Sequence, residues 1–250
     1  MRLKPKGPIQ GERCAICVPI VGPTIEDIFS QVEAAVQVEV DIIELRPDMW
    51  MKESILHEDE YVPTIVKFVE EVHSQYAEIS VLFTWRTLAE GGETPLSSKN
   101  YCNLLQAIVD QNLVDAVDVE LFAYTEKIGN SMKQAHQQGI QTVMSYHNFQ
   151  STPDVETLHV YAERMISAGA SVVKFALMPT TSDDVISVLQ FTKELTERYP
   201  QLPRITMSMG QLGQMTRTCG NVFGNCVTFG TLGQASAPGQ VDINLLQQLL

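Results

Sequence analysis

Lys174 stands in Ser171-Val172-Val173-Lys174-Phe175-Ala176-Leu177-Met178, an amine inside an apolar run. Burying an ammonium there costs several kcal/mol unless it is paired or neutralised. Desolvation favours the neutral amine, which attacks carbonyl carbon and forms a Schiff base. The competing reading is architectural: a lysine ion-paired to Glu44 or Glu120. His147, in Met144-Ser145-Tyr146-His147-Asn148-Phe149, is the one of five histidines that ends a strand-like run. Imidazole titrates near neutrality, so it can take a proton from carbon and return one to a departing hydroxyl. Taken alone, such a histidine is more often structural than catalytic; its company reverses the balance. Glu90, four residues past Arg86 in Arg86-Thr87-Leu88-Ala89-Glu90-Gly91-Gly92-Glu93, is suited to hold the imidazole tautomer and stabilise its cation. Asp118 has two readings: a second partner of His147, or a strand carboxylate that caps backbone groups.

Arg46, Arg86 and Arg217 add planar donor forks that suit a carboxylate or several hydroxyls, although any one of them is equally suited to a structural salt bridge. Residues 229–240, Phe-Gly-Thr-Leu-Gly-Gln-Ala-Ser-Ala-Pro-Gly-Gln, read as a mobile lid in which Ser236 and Gln240 offer neutral hydrogen bonds. The plainer reading is a glycine-containing connection. G-x-G-x-x-G, the P-loop, G-x-S-x-G and H-E-x-x-H are all absent, so dinucleotide, ATP and zinc-protease chemistry have little support. Cys14-x-x-Cys17 lies in a strand-like run whose alternation sends the two thiols to opposite faces, and Cys219 and Cys226 have no histidine nearby. No metal and no external cofactor are expected, because a lysine imine is itself an electron sink.

What must position these groups is a βαβα rhythm, the sign of a parallel sheet covered by helices. Strands are expected at Cys14–Val18, Ile42–Arg46, Val81–Trp85, Ala116–Glu120, Thr142–Tyr146, Val172–Phe175, Ile205–Ser208 and Val227–Phe229. Helices are expected at Ile25–Val38, Glu60–Gln75, Lys99–Gln111, Tyr124–Gln138, Val155–Ala168, Asp183–Arg198, Gln214–Thr218 and Ile243–Leu250. Thr24 and the pair Thr152-Pro153, with Pro in a first turn, mark helix starts, and Gly139 and Gly169 mark stops. Eight units in 250 residues predict an α/β fold, a single (β/α)8 TIM barrel spanning 1–250, with Met1–Glu12 as a surface strand or a flap over the barrel floor. Strands of such a barrel are buried on both faces and should be apolar throughout. Yet Glu44, Arg46, Arg86, Asp118, Glu120 and His147 fall at strand carboxyl ends, with Lys174 in the sixth strand, all near the face where βα loops build active sites.

Composition narrows the partners. The net charge of −13, from 30 acidic against 17 basic residues, disfavours nucleic acid and anionic membrane, while a local cluster of arginines still permits an anionic small substrate. No apolar stretch reaches spanning length and the N-terminus lacks a signal-peptide core, so a cytoplasmic protein is expected; five cysteines without a disulfide framework agree with that.

In order along the chain, Glu44-Leu45-Arg46, Arg86-Thr87 through Glu90-Gly91-Gly92-Glu93, Asp118-Val119-Glu120-Leu121-Phe122, Ser145-Tyr146-His147-Asn148-Phe149, Lys174, Met209-Gly210 with Arg217, and Ser236-Ala237-Pro238-Gly239-Gln240 resemble the type I 3-dehydroquinate dehydratases of the shikimate pathway. The match runs from about Cys14 to Gln240. The resemblance implies that Lys174 condenses with the ketone of 3-dehydroquinate, and that His147 removes a proton from C2 and returns one to the departing C1 hydroxyl in a syn elimination. It further implies that Glu90 and Asp118 tune His147, that Arg217 with Gln240 takes the substrate carboxylate, and that Glu44, Arg46, Arg86 and Ser236 hold hydroxyls or close the lid. It implies a homodimer as well. Where some members of the family carry a serine at the end of the first strand and others a proline, this chain has Val18-Pro19-Ile20, a departure that implies no loss of activity. Two rivals stand beside this reading. One is a class I aldolase, which shares the lysine but takes phosphorylated substrates through a glycine-rich anion site; the other is a non-catalytic ligand-binding barrel, for which a costly buried lysine has no use.

Overall fold

Apolar runs become parallel strands and amphipathic stretches become the helices that carry the chain back to the next strand. The computed structural model describes residues 14–233 and 236–250, so the flap assigned to Met1–Glu12 lies outside the described residues. The strands are β1 (Ala15–Ile20), β2 (Ile42–Leu45), β3 (Ser80–Phe83), β4 (Ala116–Glu120), β5 (Gln141–Asn148), β6 (Val172–Leu177), β7 (Arg204–Ser208), β8 (Val227–Thr231) and β9 (Val241–Asp242). The main helices are α1 (Ile25–Gln37), α3 (Glu58–Gln75), α4 (Ser98–Gln111), α5 (Glu126–Gln138), α6 (Val155–Ser167), α7 (Ser182–Arg198) and α9 (Ile243–Leu249), with α2 (Pro47–Trp50) and α8 (Met215–Cys219) as single turns. Each predicted strand and helix is present, with ends moved by a few residues. The two-residue β9 and four-residue α2 are too short to leave a period in the sequence. One start signal is corrected: α6 is capped by Asp154, whose carboxylate accepts the Thr157 N–H at 2.7 Å, so Pro153 lies before the cap and not in the first turn.

All ladders are parallel, in the order β7-β6-β5-β4-β3-β2-β1-β8-β9. The ring closes between β7 and β8 by the Cys226 N–H to the Arg204 carbonyl at 2.9 Å. Strand alternation divides the apolar residues into two cores. Outward residues such as Ile43, Phe83, Val119 and Phe175 pack beneath the helices, while inward Ala15, Ile42, Leu82, Ala116, Val143, Val172 and Val227 fill the barrel axis. Along the inward face four strings turn polar towards the carboxyl end, Ile42 then Glu44, Ala116 then Asp118 and Glu120, Val143 then Ser145 and His147, Val172 then Lys174, while β7 and β8 stay apolar through Met207 and Phe229.

At the opposite end, the floor, one device recurs four times. A side chain just ahead of an even-numbered strand accepts the first free N–H of the odd-numbered strand before it. Asp41 takes Ile16 N–H at 2.8 Å, Asp115 takes Val81 at 2.9 Å, Ser171 takes Thr142 at 3.3 Å and Asn225 takes Thr206 at 2.9 Å. Asn225 also donates to the Val227 carbonyl at 2.9 Å, so its carboxamide bridges β7 and β8 where no ladder joins them.

Candidate active site

The polar ends of the inward strings converge at the mouth. Lys174 Nζ donates to Glu44 Oε1 and Asp118 Oδ2, both at 3.2 Å, and is 3% exposed. Both sequence readings of this lysine are therefore realised at once: it is buried, and it is paired to Glu44 as the architectural reading allowed. Glu120, the other partner considered, is taken by Arg86 Nη1 at 3.0 Å and by the Thr87 N–H and hydroxyl at 2.8 and 2.6 Å. Burial works to raise the Glu44 carboxyl, but Lys174 and then Arg46 outweigh it and the net shift is downward. In Asp118 burial is likewise overcome by Arg86 and Lys174. The two carboxylates thus stay ionised and compensate the buried cations.

Asp118 follows neither sequence reading. It bonds to Lys174, to Arg86 Nη2 at 2.9 Å and to the Ser145 hydroxyl at 2.6 Å, not to His147 and not as a backbone cap. Ser145, which the sequence reading passed over, is fully buried and also accepts from Arg86 Nη1 at 2.9 Å. Its signal was legible: a hydroxyl on the inward parity of β5, two residues before His147 and paired in register with Lys174. Arg86 is consumed by Asp118, Glu120 and Ser145, which makes it a strut of the pocket wall in place of a free hydroxyl donor. Arg46 is similarly held, its Nε and Nη2 forked onto the buried Asp48 at 2.7 Å each. Pro47 between them starts α2 and turns Asp48 back, a pairing that the sequence reading missed.

His147 lies within β5, one inward step above Ser145 and hence above Lys174 on the next strand. Its Nδ1 is 2.9 Å from Glu90 Oε2, and the same oxygen accepts the His147 N–H at 3.0 Å. The predicted pairing is present. Glu90 reaches it from a 3-10 turn, Leu88–Glu90, because Gly91 has φ +86° and faces the Phe149 ring, while Gly92 passes so close to the Arg86 carbonyl that no Cβ fits. Burial, followed by the cations Arg86, Lys174 and Arg46, holds His147 well below the usual imidazole range. Burial pushes the Glu90 carboxyl up to about 8, opposed by Arg86 and aided by Glu120 and Asp118. The contact is therefore a hydrogen bond within a buried pair that favours neutral forms, and the two groups titrate as a unit. With two protons the pair is a carboxylic acid facing Nδ1 with Nε2 protonated, ready to give. With one it is a carboxylate facing Nδ1–H with Nε2 bare, ready to take.

Arg217 differs from the other pocket cations. It is 2% exposed, no carboxylate among the described residues stands within 4 Å, and its Nε has no partner. Among the described residues its donors reach Met207 Sδ and the Phe229 carbonyl at 3.4 Å and the Pro238 carbonyl at 3.3 Å. Burial lowers it to about 10. A guanidinium desolvated in this way has unmet capacity for an anion.

Of the stretch expected as a lid, 234–235 lie outside the described residues, and Pro238 lies against this arginine. Gly210 N–H donates to the Pro238 carbonyl at 3.0 Å, and Gly239, at φ +77°, packs against the Gly210 backbone. Ser236 and Gln240 bond to each other, N–H to Oε1 at 2.8 Å and Nε2 to Oγ at 2.9 Å, and both line the cavity. That cavity is walled by Glu44, Arg46, Arg86, Glu90, His147, Lys174, Arg217, Ser236 and Gln240, with Met207, Met209 and Phe229 on its apolar side. All ten site residues expected from sequence meet here: nine line the cavity, and Asp118 sits beneath Lys174.

A family model described as type I 3-dehydroquinase matches residues 16–250. A 3-dehydroquinate dehydratase of Clostridium novyi (strain NT) is 36% identical over 249 residues, covering 98% of this chain and 95% of that one. Among solved structures, the 3-dehydroquinate dehydratase of Geobacillus kaustophilus HTA426 superposes with a TM-score of 0.87 at 34% identity, over 96% of this chain and 91% of that one. The type I enzyme of Clostridium difficile, solved with covalent modified comenic acid, gives 0.86 at 35% identity over 95% and 91%.

Proposed function

This chain belongs to the type I 3-dehydroquinase family, and from that premise we propose that it is a shikimate-pathway lyase dehydrating 3-dehydroquinate to 3-dehydroshikimate through an imine on Lys174. The observation that carries the reading is the buried Lys174, held between Glu44 and Asp118 one step below His147, in a cavity that also holds an arginine lacking a carboxylate. A nucleophile in such a pocket accords with the covalent modified comenic acid of the C. difficile relative.

Glu44 and Asp118 relay the two protons that Lys174 sheds to the ketone oxygen, as the amine adds to C3 and that oxygen leaves as water, and both carboxylates end the step ionised. The iminium acidifies C2. The one-proton form of the His147–Glu90 pair takes a C2 proton at Nε2, which yields an enamine and the two-proton form. The enamine expels the C1 hydroxyl, protonated from Nε2, and hydrolysis of the remaining imine frees product and lysine. Arg217 takes the substrate carboxylate, while Arg46, Ser236 and Gln240 face its hydroxyls. Arg86 acts by fixing Asp118, Glu120 and Glu90, and Asp118 acts on Lys174. The imine is the electron sink, so the sequence of steps draws on no external cofactor. The 250 residues act as one barrel unit, and the homodimeric state and cytoplasmic location belong to the same proposal.

Borohydride added with 3-dehydroquinate, followed by mass spectrometry of the digest, tests the reading. A reduced adduct on Lys174, lost in Lys174→Ala, is expected. A label elsewhere, or none in a preparation that turns over, would falsify the imine.

A further inference from the structure

Nζ of Lys174 has a third neighbour besides its carboxylates: it lies over the face of the Phe229 ring, 4.5 Å from the centroid. Phe229 is 4% exposed and points inward from β8, so ring and nitrogen meet with little water between them. The face of an aromatic ring carries the negative part of its quadrupole and attracts a cation, the more so when both are desolvated.

This contact gains meaning from the bookkeeping of the imine step, on which the present inference rests. An ammonium and a ketone give an iminium and water; the single positive charge is conserved, but the N–H groups on nitrogen fall from three to one. Of the two hydrogen bonds that Lys174 makes at 3.2 Å, at most one can survive. A ring face needs no N–H, because it responds to charge and not to a donor. We propose that Phe229 is a catalytic residue whose ring, against Nζ, stabilises the iminium cation after condensation has removed the donors that the two carboxylates bind.

The test replaces Phe229 by 4-fluoro-, 3,5-difluoro- and 3,4,5-trifluorophenylalanine, which keep the shape of the ring and progressively weaken its negative face. Because the ring also faces the resting ammonium, the readout is kcat: loss of water from the neutral carbinolamine creates the cation against the ring, and kcat for 3-dehydroquinate should fall stepwise, by roughly twofold to thirtyfold in total. Borohydride labelling of Lys174 should decline in the same order. Phe229→Leu, apolar but without a ring, should match or fall below the trifluoro variant; should it not fold, the fluorinated series still decides. Because the Phe229 carbonyl also receives Arg217 Nη1, at 3.4 Å, the inhibition constant of a competing carboxylate that lacks a ketone is the control and should stay constant. A flat series, or one in which that constant moves in step with the rate, overturns the proposal. Failure of the imine reading is separately visible, as an unlabelled but active parent enzyme.

Discussion

The two ends of the barrel use the same kinds of side chain for opposite purposes. At the floor, Asp41, Asp115, Ser171 and Asn225 each satisfy a backbone N–H that the ladder leaves open. At the mouth, Glu44 and Asp118 turn to side chains, chiefly Lys174 and Arg86, while Glu120 and Glu90 pair with Arg86 and His147 and each also takes one backbone N–H, of Thr87 and of His147. A side chain bonded to the backbone fixes the fold, because its loss leaves a buried donor unmet. Ionisable groups bonded to one another are costly to desolvate and add little net stability, but they set protonation states. The floor should therefore answer mutation with changes in stability, and the mouth with changes in rate.

The largest effect is expected at His147. His147→Ala removes the proton carrier and leaves the nucleophile, so kcat should fall by about a hundredfold to ten-thousandfold while borohydride still labels Lys174 in the presence of substrate. Turnover near the parent value would remove the histidine from its role and weaken the contrast between the two ends.

Arg217 sharpens it further. A neutral Arg217→Met should raise KM for 3-dehydroquinate by roughly tenfold to a hundredfold, the loss of a charge-assisted carboxylate contact. The same change should raise the melting temperature, since burial lowers the guanidinium from 12.5 to about 10 with no carboxylate in compensation. A fall in both affinity and stability would mean that the three acceptors around Arg217 matter more to the fold than the charge costs it.

At the floor the expectation inverts. Asn225→Ala deletes both the bond to the Thr206 N–H and that to the Val227 carbonyl, at the β7–β8 seam, which no ladder joins among the described residues, and should cost about 2–3 kcal/mol of unfolding free energy. Equilibrium urea unfolding measures it. kcat of the folded enzyme should be unchanged; a drop would show that closure of the ring is felt at the mouth.

How much of this was legible in advance follows the same division. Strand positions could be read because both faces of a parallel barrel are buried, and the mouth could be read because Glu44, Asp118, His147 and Lys174 break that pattern on one parity. Choice of partner could not. Asp118 turning to Lys174 and Arg86, and Arg86 being used up as a strut, depend on register and rotamers across three strands. The four floor acceptors were missed for another reason: each lies at a loop end, where polar residues are ordinary and periodicity carries no signal. The roles assigned to Arg217 and Gln240 came from the resemblance, because a lone arginine in α8 says nothing by itself about what it lacks.

The smallest effect, and the most discriminating, concerns Glu90. Its carboxyl has a folded pKa raised from 4.5 to about 8, so between those values the folded chain holds a proton that the unfolded chain has lost. Stability from this group is complete below about pH 4.5 and is surrendered as pH rises towards 8. In Glu90→Gln that decline should flatten, which thermal melts across the interval would register. The rate profile should move too. The parent becomes an effective base only as the His147–Glu90 pair gives up its second proton, whereas in Glu90→Gln the imidazole is left alone, held low by burial and by Arg86, Lys174 and Arg46. The acid limb of kcat/KM should therefore shift to lower pH even as the maximum falls. A shift to higher pH would mean that Glu90 is an ordinary ionised partner that raises the basicity of His147, and the mouth would then resemble a conventional salt bridge more than a proton-sharing pair.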